Sequence, residues 1–419
     1  QSDFPGLIIP ASLAFGAFLL IYRSQLTALQ LRYFIGILIL VKVGMIFSFP
    51  GLSDDLYRFW WDGWLSLQGI HPFSVTPRQV MGMEWPEETL EAIQPVFHNL
   101  NSPDYHSVYP AWCQLIFLSC VRIAGYDIGI FTISLKLLFL LADVALLFVL
   151  IRLLRSRQKP INHSLLIWAN PLYIWELLGN LHFEIFLILF LALAILMYEQ
   201  QKSFLAGWFL GLSFLSKLWS LFLLPLFVEK PLPNRSNIWV LLGFGIPAVV
   251  LAWMLSGHEE GFQNSLALYF RQFEFNSLFY GPISDYLDRS GQWMHKTKIS
   301  LWLMSVFMVV YAALCFWAWK SRTKGFAFRQ AWLVFAAYLL LSSTVHPWYI
   351  CPLLFLGWFA YPATSLCWSY LAMWSYAHYD PTFQAYDSYF SFASYILIIT
   401  VFLFENQKIH KTESDLAIS

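Results

Sequence analysis

The segment SDDLYRFWWDGWLSLQGIHPF, Ser53 to Phe73, follows an apolar run and brings together acids, an arginine and three tryptophans. Asp54 and Asp55 are adjacent, so on a helix their side chains point about 100° apart and only one can face a given site. Tyr57, Arg58 and Asp62 follow at helical spacings: Asp55 to Arg58 is i, i+3 and Arg58 to Asp62 is i, i+4. An acid in such company can stay ionised beside lipid and accept a proton, whereas an acidic helix cap at an interface would use the same residues. GNLHFE, 179–184, sets His182 and Glu184 in a tight turn between two apolar runs, with Gly179 and Asn180 supplying the turn. A histidine with a carboxylate two residues on suits proton transfer, and an interfacial hydrogen-bonder is the plainer alternative. STVHPWY, 343–349, repeats the theme with His346, Trp348 and Tyr349. Pro347 breaks the helix there and leaves carbonyls free, as beside a cavity.

Lys217 lies within FLSKLWSLFLLPLF, between runs 203–216 and 218–229. Each run is shorter than the ~20 residues of a simple span. A hairpin of short or broken helices is expected, with Lys217 near the outer water. Its ammonium either snorkels to the interface or holds an anionic headgroup, for which a lysine is a strong partner. Lys136 and Asp143, seven apart on one helix face, are expected to satisfy one another inside a bundle. RQFEFNSLFYGP, 271–282, adds Arg271, Glu274, Asn276 and Tyr280, a mixture suited to lining a sugar or lipid-phosphate site without fixing the role of each. The cysteines Cys113, Cys120, Cys315, Cys351 and Cys367 stand singly in apolar segments, as buried thiols do, and form no metal-ligand spacing.

The elements that must position these residues are membrane helices. The 419-residue chain is 58% hydrophobic and 12% charged, and its mean hydropathy of +0.58 comes from about thirteen apolar runs spread from end to end. An all-α, polytopic transmembrane bundle is the expected fold, as one domain over 1–419, with no soluble domain appended. A net charge of zero without a long basic block argues against a nucleic-acid partner. The 20 tryptophans and 21 tyrosines suit many helix ends at the membrane–water boundary. Basic clusters at 152–159, 199–202, 229–235, 320–324 and 405–411 belong on the cytoplasmic side. That single assignment puts the long loop 50–128, GNLHFE, the second large loop 256–298, STVHPWY and 378–388 outside. It requires YPAWCQLIFLSCVRIAG, 109–125, to lie along the interface or re-enter. It also places residue 1 outside, which fits a further helix upstream of it. The Asn-x-Ser sequons at Asn162 and Asn234 then fall inside and carry no glycan.

In order, SDDLYRFWWDG, VYPAWCQ, GNLHFE, GWFLGLSFLSKLWSLFLLPL and HPWY resemble the GT-C glycosyltransferases, in particular the bacterial polyprenol-phosphate-mannose-dependent mannosyltransferase branch. The similarity runs from about residue 33 to about residue 380. It rests on motif order and common placement on the outer face, since each motif alone is weak. The resemblance implies an integral enzyme of the bacterial plasma membrane. Such an enzyme moves a hexose, most readily mannose, from a polyprenyl-phosphate carrier to an extracytoplasmic glycan or lipid acceptor, without a metal or other cofactor. It implies that an acid at the start of the first outer loop deprotonates the acceptor hydroxyl. Asp54 and Asp55 are the matching positions, and Asp55 is favoured because it directly precedes Leu-Tyr-Arg. It further maps a second acid or histidine onto His182 and Glu184.

The chemistry then explains the pattern. A hydroxyl attacks the anomeric carbon while a phosphate departs with its charge, so a base is needed on one side of the sugar and cations on the other. Arg58, Lys217, Arg271, His346 and Tyr349 are the candidates for the donor phosphate. Asp62, Trp61, Tyr109, Glu274 and Asn276 are expected to line the substrates, and Trp60, Trp61 and Trp64 to form a surface meeting lipid tail and sugar. Two rival functions use the same composition. A lipid-linked sugar flippase calls for polar residues at mid-bilayer and internal repeats. A non-catalytic subunit of a glycan-assembly complex leaves the clustered acids and histidines without a role.

Overall fold

The computed structural model describes residues 3–24, 26–228, 235–271, 273–321 and 325–418, with side chains except at 268–271, 293, 297 and 413–418. Residues 229–234, which include Asn234, and 322–324 of two basic clusters lie outside the described residues. In chain order the α-helices are α1 (Phe4–Arg23), α2 (Ala28–Gly44), α3 (Asp55–Leu67), α4 (Pro77–Met81), α5 (Glu87–His98), α6 (Ala111–Ala124), α7 (Ile128–Ser156), α8 (Leu165–Trp168), α9 (Pro171–Tyr173), α10 (Glu184–Glu199), α11 (Ser203–Ser216), α12 (Arg235–Leu255), α13 (Glu259–Arg271), α14 (Tyr280–Arg289), α15 (Lys296–Lys320), α16 (Phe328–Leu341), α17 (Ile350–Gly357), α18 (Pro362–Leu371) and α19 (Asp387–Ile418). No strand occurs among the described residues. Among the described residues six segments are long and apolar enough to cross a bilayer: Phe4–Arg23, Ala28–Phe47, Ile128–Ser156, Arg235–Leu255, Lys298–Lys320 and Gln384–Thr412. A bent pair, Pro171–Gly179 with Glu184–Glu199, passes the same test with a 115° break. The all-α membrane architecture expected from hydropathy is the one observed.

The helix starts follow from local chemistry. Thr27 accepts from Gln30 N while Gln30 Oε1 accepts from Thr27 N, and Thr76 with Gln79 repeats this reciprocal cap before α4. Asp127 accepts from Ile130 N at 2.9 Å to open the long α7, immediately after Gly125 ends α6 with φ +58°.

The chain divides into two compact units. One comprises 1–26, 162–173 and 269–419; the other comprises 27–161 and 174–268. In the first, Asp380 accepts from Phe4 N at 2.9 Å, fixing the start of α1. At the other end of that unit, Glu405 on α19 accepts from Ala363 N and Thr364 N, satisfying two orphan donors at the start of α18. The second unit carries α2–α7 and α10–α12, with α11 packed closely between α10 and α12. A Cβ on Gly207 would stand 2.0 Å from Val240 O, so only glycine permits that α11–α12 approach.

Two sequence expectations are corrected in this second unit. Lys136 and Asp143 do not pair: Asp143 accepts from Lys42 on α2 at 2.9 and 3.0 Å, and Lys136 donates to Met45 O at 3.0 Å and Ser48 Oγ at 2.8 Å. Seven residues along a helix is about 10 Å, longer than a lysine and an aspartate span, so a neighbouring helix supplies the partner. Trp60, Trp61 and Trp64 form no outer surface either, being 0%, 0% and 1% exposed. Trp60 stacks on Trp64 at 6.0 Å, Trp61 packs on Phe97 at 5.9 Å, Trp64 meets Trp85 at 5.2 Å, and Trp60 Nε1 donates to Gly125 O. The chain around α4–α6 folds over α3 and turns an apparently interfacial girdle into a core.

Candidate active site

The site is built from the N-terminal turns of α3 and the segment 174–183 that leads into α10. Asp54 precedes α3, makes no side-chain cap bond and is exposed. Asp55 opens the helix half-buried; its N donates to Ser53 Oγ at 3.3 Å, and its Oδ1 accepts from Asn101 Nδ2 at 3.4 Å. Among the described residues neither aspartate has an ion-pair partner.

Two turns further on, Asp62 is fully buried and heavily engaged. Arg58 Nε donates to Asp62 Oδ1 at 2.8 Å, Gln114 Nε2 donates to Oδ2 at 3.0 Å, and Ser107 Oγ hydrogen-bonds to the same Oδ2. Arg58, expected at a phosphate, is enclosed: Nη1 donates to Ser102 O at 3.1 Å and Tyr105 O at 2.9 Å, and the residue is 4% exposed. The i, i+4 spacing made the pair, and the 102–105 loop closed over it. Burial, reinforced by the Arg58 guanidinium, pushes the His106 imidazole below its usual value, so at neutral pH the ring is uncharged beside this pair. Asp62 and Trp61, expected along the substrate, thus belong to the interior. Tyr109 is half-buried with its ring against Phe59 at 5.0 Å and Phe117 at 5.5 Å.

Gly63 lets α3 lie directly on α6. A Cβ there would meet Phe117 O at 2.6 Å and Val121 Cγ2 at 2.8 Å. The same rings carry contact onward to the GNLHFE turn, because Phe183 packs on Phe59 at 5.4 Å, on Phe117 at 5.3 Å and on Phe139 at 5.0 Å. Asp55 and the His182 turn therefore rest on one aromatic core.

In that turn the backbone passes through a π-helical segment, Ile174–Gly179, and then Leu181 in the left-handed region at φ +64°. π-Helical turns and left-handed non-glycine residues both concentrate at functional sites. His182 is 3% exposed, its N donates to Glu176 O at 3.2 Å, and its Nε2 lies 3.4 Å from Glu176 Oε2. Its carboxylate partner is thus Glu176, which sequence spacing did not single out, and not Glu184. Glu184, fully buried at the start of α10, faces Lys217 Nζ at 3.1 Å, although neither carboxylate oxygen receives an aligned hydrogen bond. Lys217 sits where α11 stops, with φ −155° and ψ 126°, before the 3-10 segment Leu218–Phe227. The expected pair of short helices flanking Lys217 is present, and its side chain is 22% exposed.

The remaining candidates fall in the other unit. Phe275 N donates to Ser343 O at 3.1 Å and Val345 N to Phe275 O at 2.8 Å, tying 273–276 to the STVHPWY turn. Asn276, at φ +49°, donates from Nδ2 to Val345 O, and its own carbonyl accepts from Tyr395 OH at 2.7 Å. The His346 ring stacks between Trp348 at 4.3 Å and Phe275 at 4.8 Å, with Tyr349 edge-on at 5.5 Å. Glu274 is exposed beside Gly281, and the Arg271 side chain lies outside the described residues. No group of three or more metal-ligating side chains occurs among the described residues.

Sequence reasoning missed the residues that hold the site: Asn101, Ser102, Ser107 and Gln114 around α3, and Glu176 and Asn180 in the turn. They are neutral or buried, and they meet their partners only once the long loop folds back. The nearest signal was the Asn in GNLHFE, read as a turn residue.

These features define an integral-membrane helical protein with an aspartate at the start of α3 and a lysine–glutamate pair between α11 and α10. Residues 7–231, more than half of the chain, match the family described as alpha-(1->6)-mannopyranosyltransferase, N-terminal domain, and the chain belongs to that family. It is a glycosyltransferase that moves mannose from a sugar donor to an acceptor. No curated protein matches the chain, and no solved structure does.

Proposed function

We propose that this mannosyltransferase is a GT-C enzyme that takes mannose from a polyprenyl-phosphate carrier and transfers it to an acceptor glycan or lipid on the outer face of a bacterial plasma membrane. Asp55 is the base, and no metal or other cofactor takes part. The observation that carries this reading is the contrast in compensation among the acids. Asp62 and Glu184 each face a cation, whereas Asp55 has one long contact from Asn101 and a half-exposed side chain. A carboxylate with no cation beside it has its oxygens open to an incoming hydroxyl.

In the reaction the acceptor O–H proton passes to Asp55, and the oxygen bonds to the anomeric carbon of mannose. The bond from that carbon to the phosphate oxygen breaks, and its electron pair leaves with the polyprenyl phosphate. Lys217 stabilises the charge that develops on this leaving group, since an ammonium beside low-dielectric walls is worth far more than in water. The family description implies an α-(1→6) linkage, so the attacking group is the primary C6 hydroxyl of an acceptor sugar.

Placement on the outer face is supported by the two ends of α10. Arg157 Nε meets Glu199 Oε1 at 2.8 Å, joining the basic clusters after α7 and α10 at one end. His182 and Glu184 mark the other end, about 24 Å away along the helix. By the positive-inside rule the basic end is cytoplasmic. The test is transfer by purified protein in detergent micelles, where transport across a membrane has no meaning. Release of polyprenyl phosphate in step with mannosylated acceptor supports the reading. Transfer from a nucleotide-linked mannose but not from the lipid carrier refutes it.

A further inference from the structure

The segment between α2 and α3 leads into Asp54 and Asp55, and two of its backbone amides are satisfied from outside the segment. Gly51 N and Leu52 N both donate to a single atom, Asn180 Oδ1, at 3.3 and 3.0 Å. The other half of that amide is also used: Asn180 Nδ2 donates to Glu176 Oε2 at 3.4 Å. Asn180 is 5% exposed and Glu176 0%. This clamp sits after the π-helical turn and immediately before Leu181 at φ +64°. A left-handed leucine costs free energy and persists only where its surroundings over-determine it. Here it directly follows the residue whose amide holds the Gly51–Leu52 backbone.

We infer that Asn180 is a positioning residue for the transfer reaction, setting the Gly51–Asp55 segment so that Asp55 meets the acceptor hydroxyl, with Glu176 orienting the Asn180 amide. The inference rests on the reading of Asp55 as the base. Three features make it specific. Leu52 is three residues before Asp55, so a shift of the Leu52 amide is passed directly to the first turn of α3. The 48–54 connection is pinned a second time by Lys136, which holds Met45 O and Ser48 Oγ, leaving Asn180 to fix its distal half. Among the described residues the only side-chain donor to Asp55 itself is Asn101, on an exposed loop at 3.4 Å, too weak to hold the carboxylate alone.

A displacement of about 1 Å at a reacting group costs on the order of 10²-fold in rate. Asn180→Ala is therefore expected to lower kcat by about 10- to 100-fold per folded molecule, with the donor KM unchanged and a loss well beyond any fall in the folded fraction. Asn180→Asp keeps the oxygen that accepts from Gly51 and Leu52 but loses the donor and sets two carboxylates together, so kcat falls as well. Adding Glu176→Gln to Asn180→Asp reverses the donor and acceptor of the pair, restores the contact and is expected to recover most of the loss. Should Asn180→Ala fail to fold, the Asn180→Asp single and double variants carry the same test. Wild-type kcat in Asn180→Ala, a loss that only tracks the folded fraction, or no recovery in the double variant overturns the inference. Asp55→Asn assayed alongside separates the two failures. Normal turnover there removes the base itself, whereas an inactive Asp55→Asn beside a normal Asn180→Ala removes only the clamp.

Discussion

Two turns of one helix treat the same residue type in opposite ways. Asp55 and Asp62 are seven apart on α3 and so share a face, yet Asp62 is sealed among Arg58, Ser107 and Gln114, while Asp55 stands half-open with one long contact from Asn101. The difference teaches that burial with full compensation makes an acid structural, and that availability for chemistry is what a fold withholds compensation to create. A flanking comparison gives the same lesson. Lys42 and Asp143 neutralise one another with no exposed side-chain surface, whereas the Lys217–Glu184 pair leaves the lysine partly exposed.

The largest stability effect is expected where compensation is complete. Asp62→Asn removes the charge facing Arg58 and should destabilise the protein by about 3 to 5 kcal/mol, read as a lower melting temperature in micelles and loss of transfer in proportion to unfolding. Unchanged melting would mean that Arg58 finds another partner and that the contrast with Asp55 is false.

Lys217 comes next. Lys217→Ala alone strands Glu184, so it is best combined with Glu184→Gln, which keeps the buried site neutral. That double variant should fold but lose about 2 to 4 kcal/mol of transition-state stabilisation in kcat/KM. Lys217→Arg should recover part of it, because the charge survives while the geometry changes. Full activity in the double variant would remove the cation from the reaction.

Gly63→Ala sharpens the comparison at smaller scale. The added methyl meets the Phe117 carbonyl at 2.6 Å, so α3 and α6 must part. A cost of about 1 to 3 kcal/mol is expected by thermal melting, against a gain of up to about 1 kcal/mol in helix propensity. A more stable variant would show that the two helices are loosely docked.

The fold class was legible because twenty-residue apolar runs have few alternatives, and the i, i+4 spacing of Arg58 and Asp62 foretold their pair. What spacing could not give was the partner across space. Asp143 found Lys42 on another helix, His182 found Glu176 upstream instead of Glu184, and the tryptophans of α3 were covered by a loop whose path hydropathy does not encode. Arg58 shows the limit most clearly. Its charge suggested a ligand, while Ser102 and Tyr105, forty-odd residues later, decided that it would be enclosed.

The central claim is that Asp55 is the acid left free to take the proton, and one measurement addresses it directly: single-turnover mannosyl transfer by Asp55→Asn in micelles, with donor binding and melting recorded on the same sample. The amide keeps the shape and cannot accept a proton, so transfer should fall by roughly 10² to 10⁴-fold while binding and melting match the wild type. Transfer near the wild-type rate, or a loss confined to Asp54→Asn, would contradict the assignment.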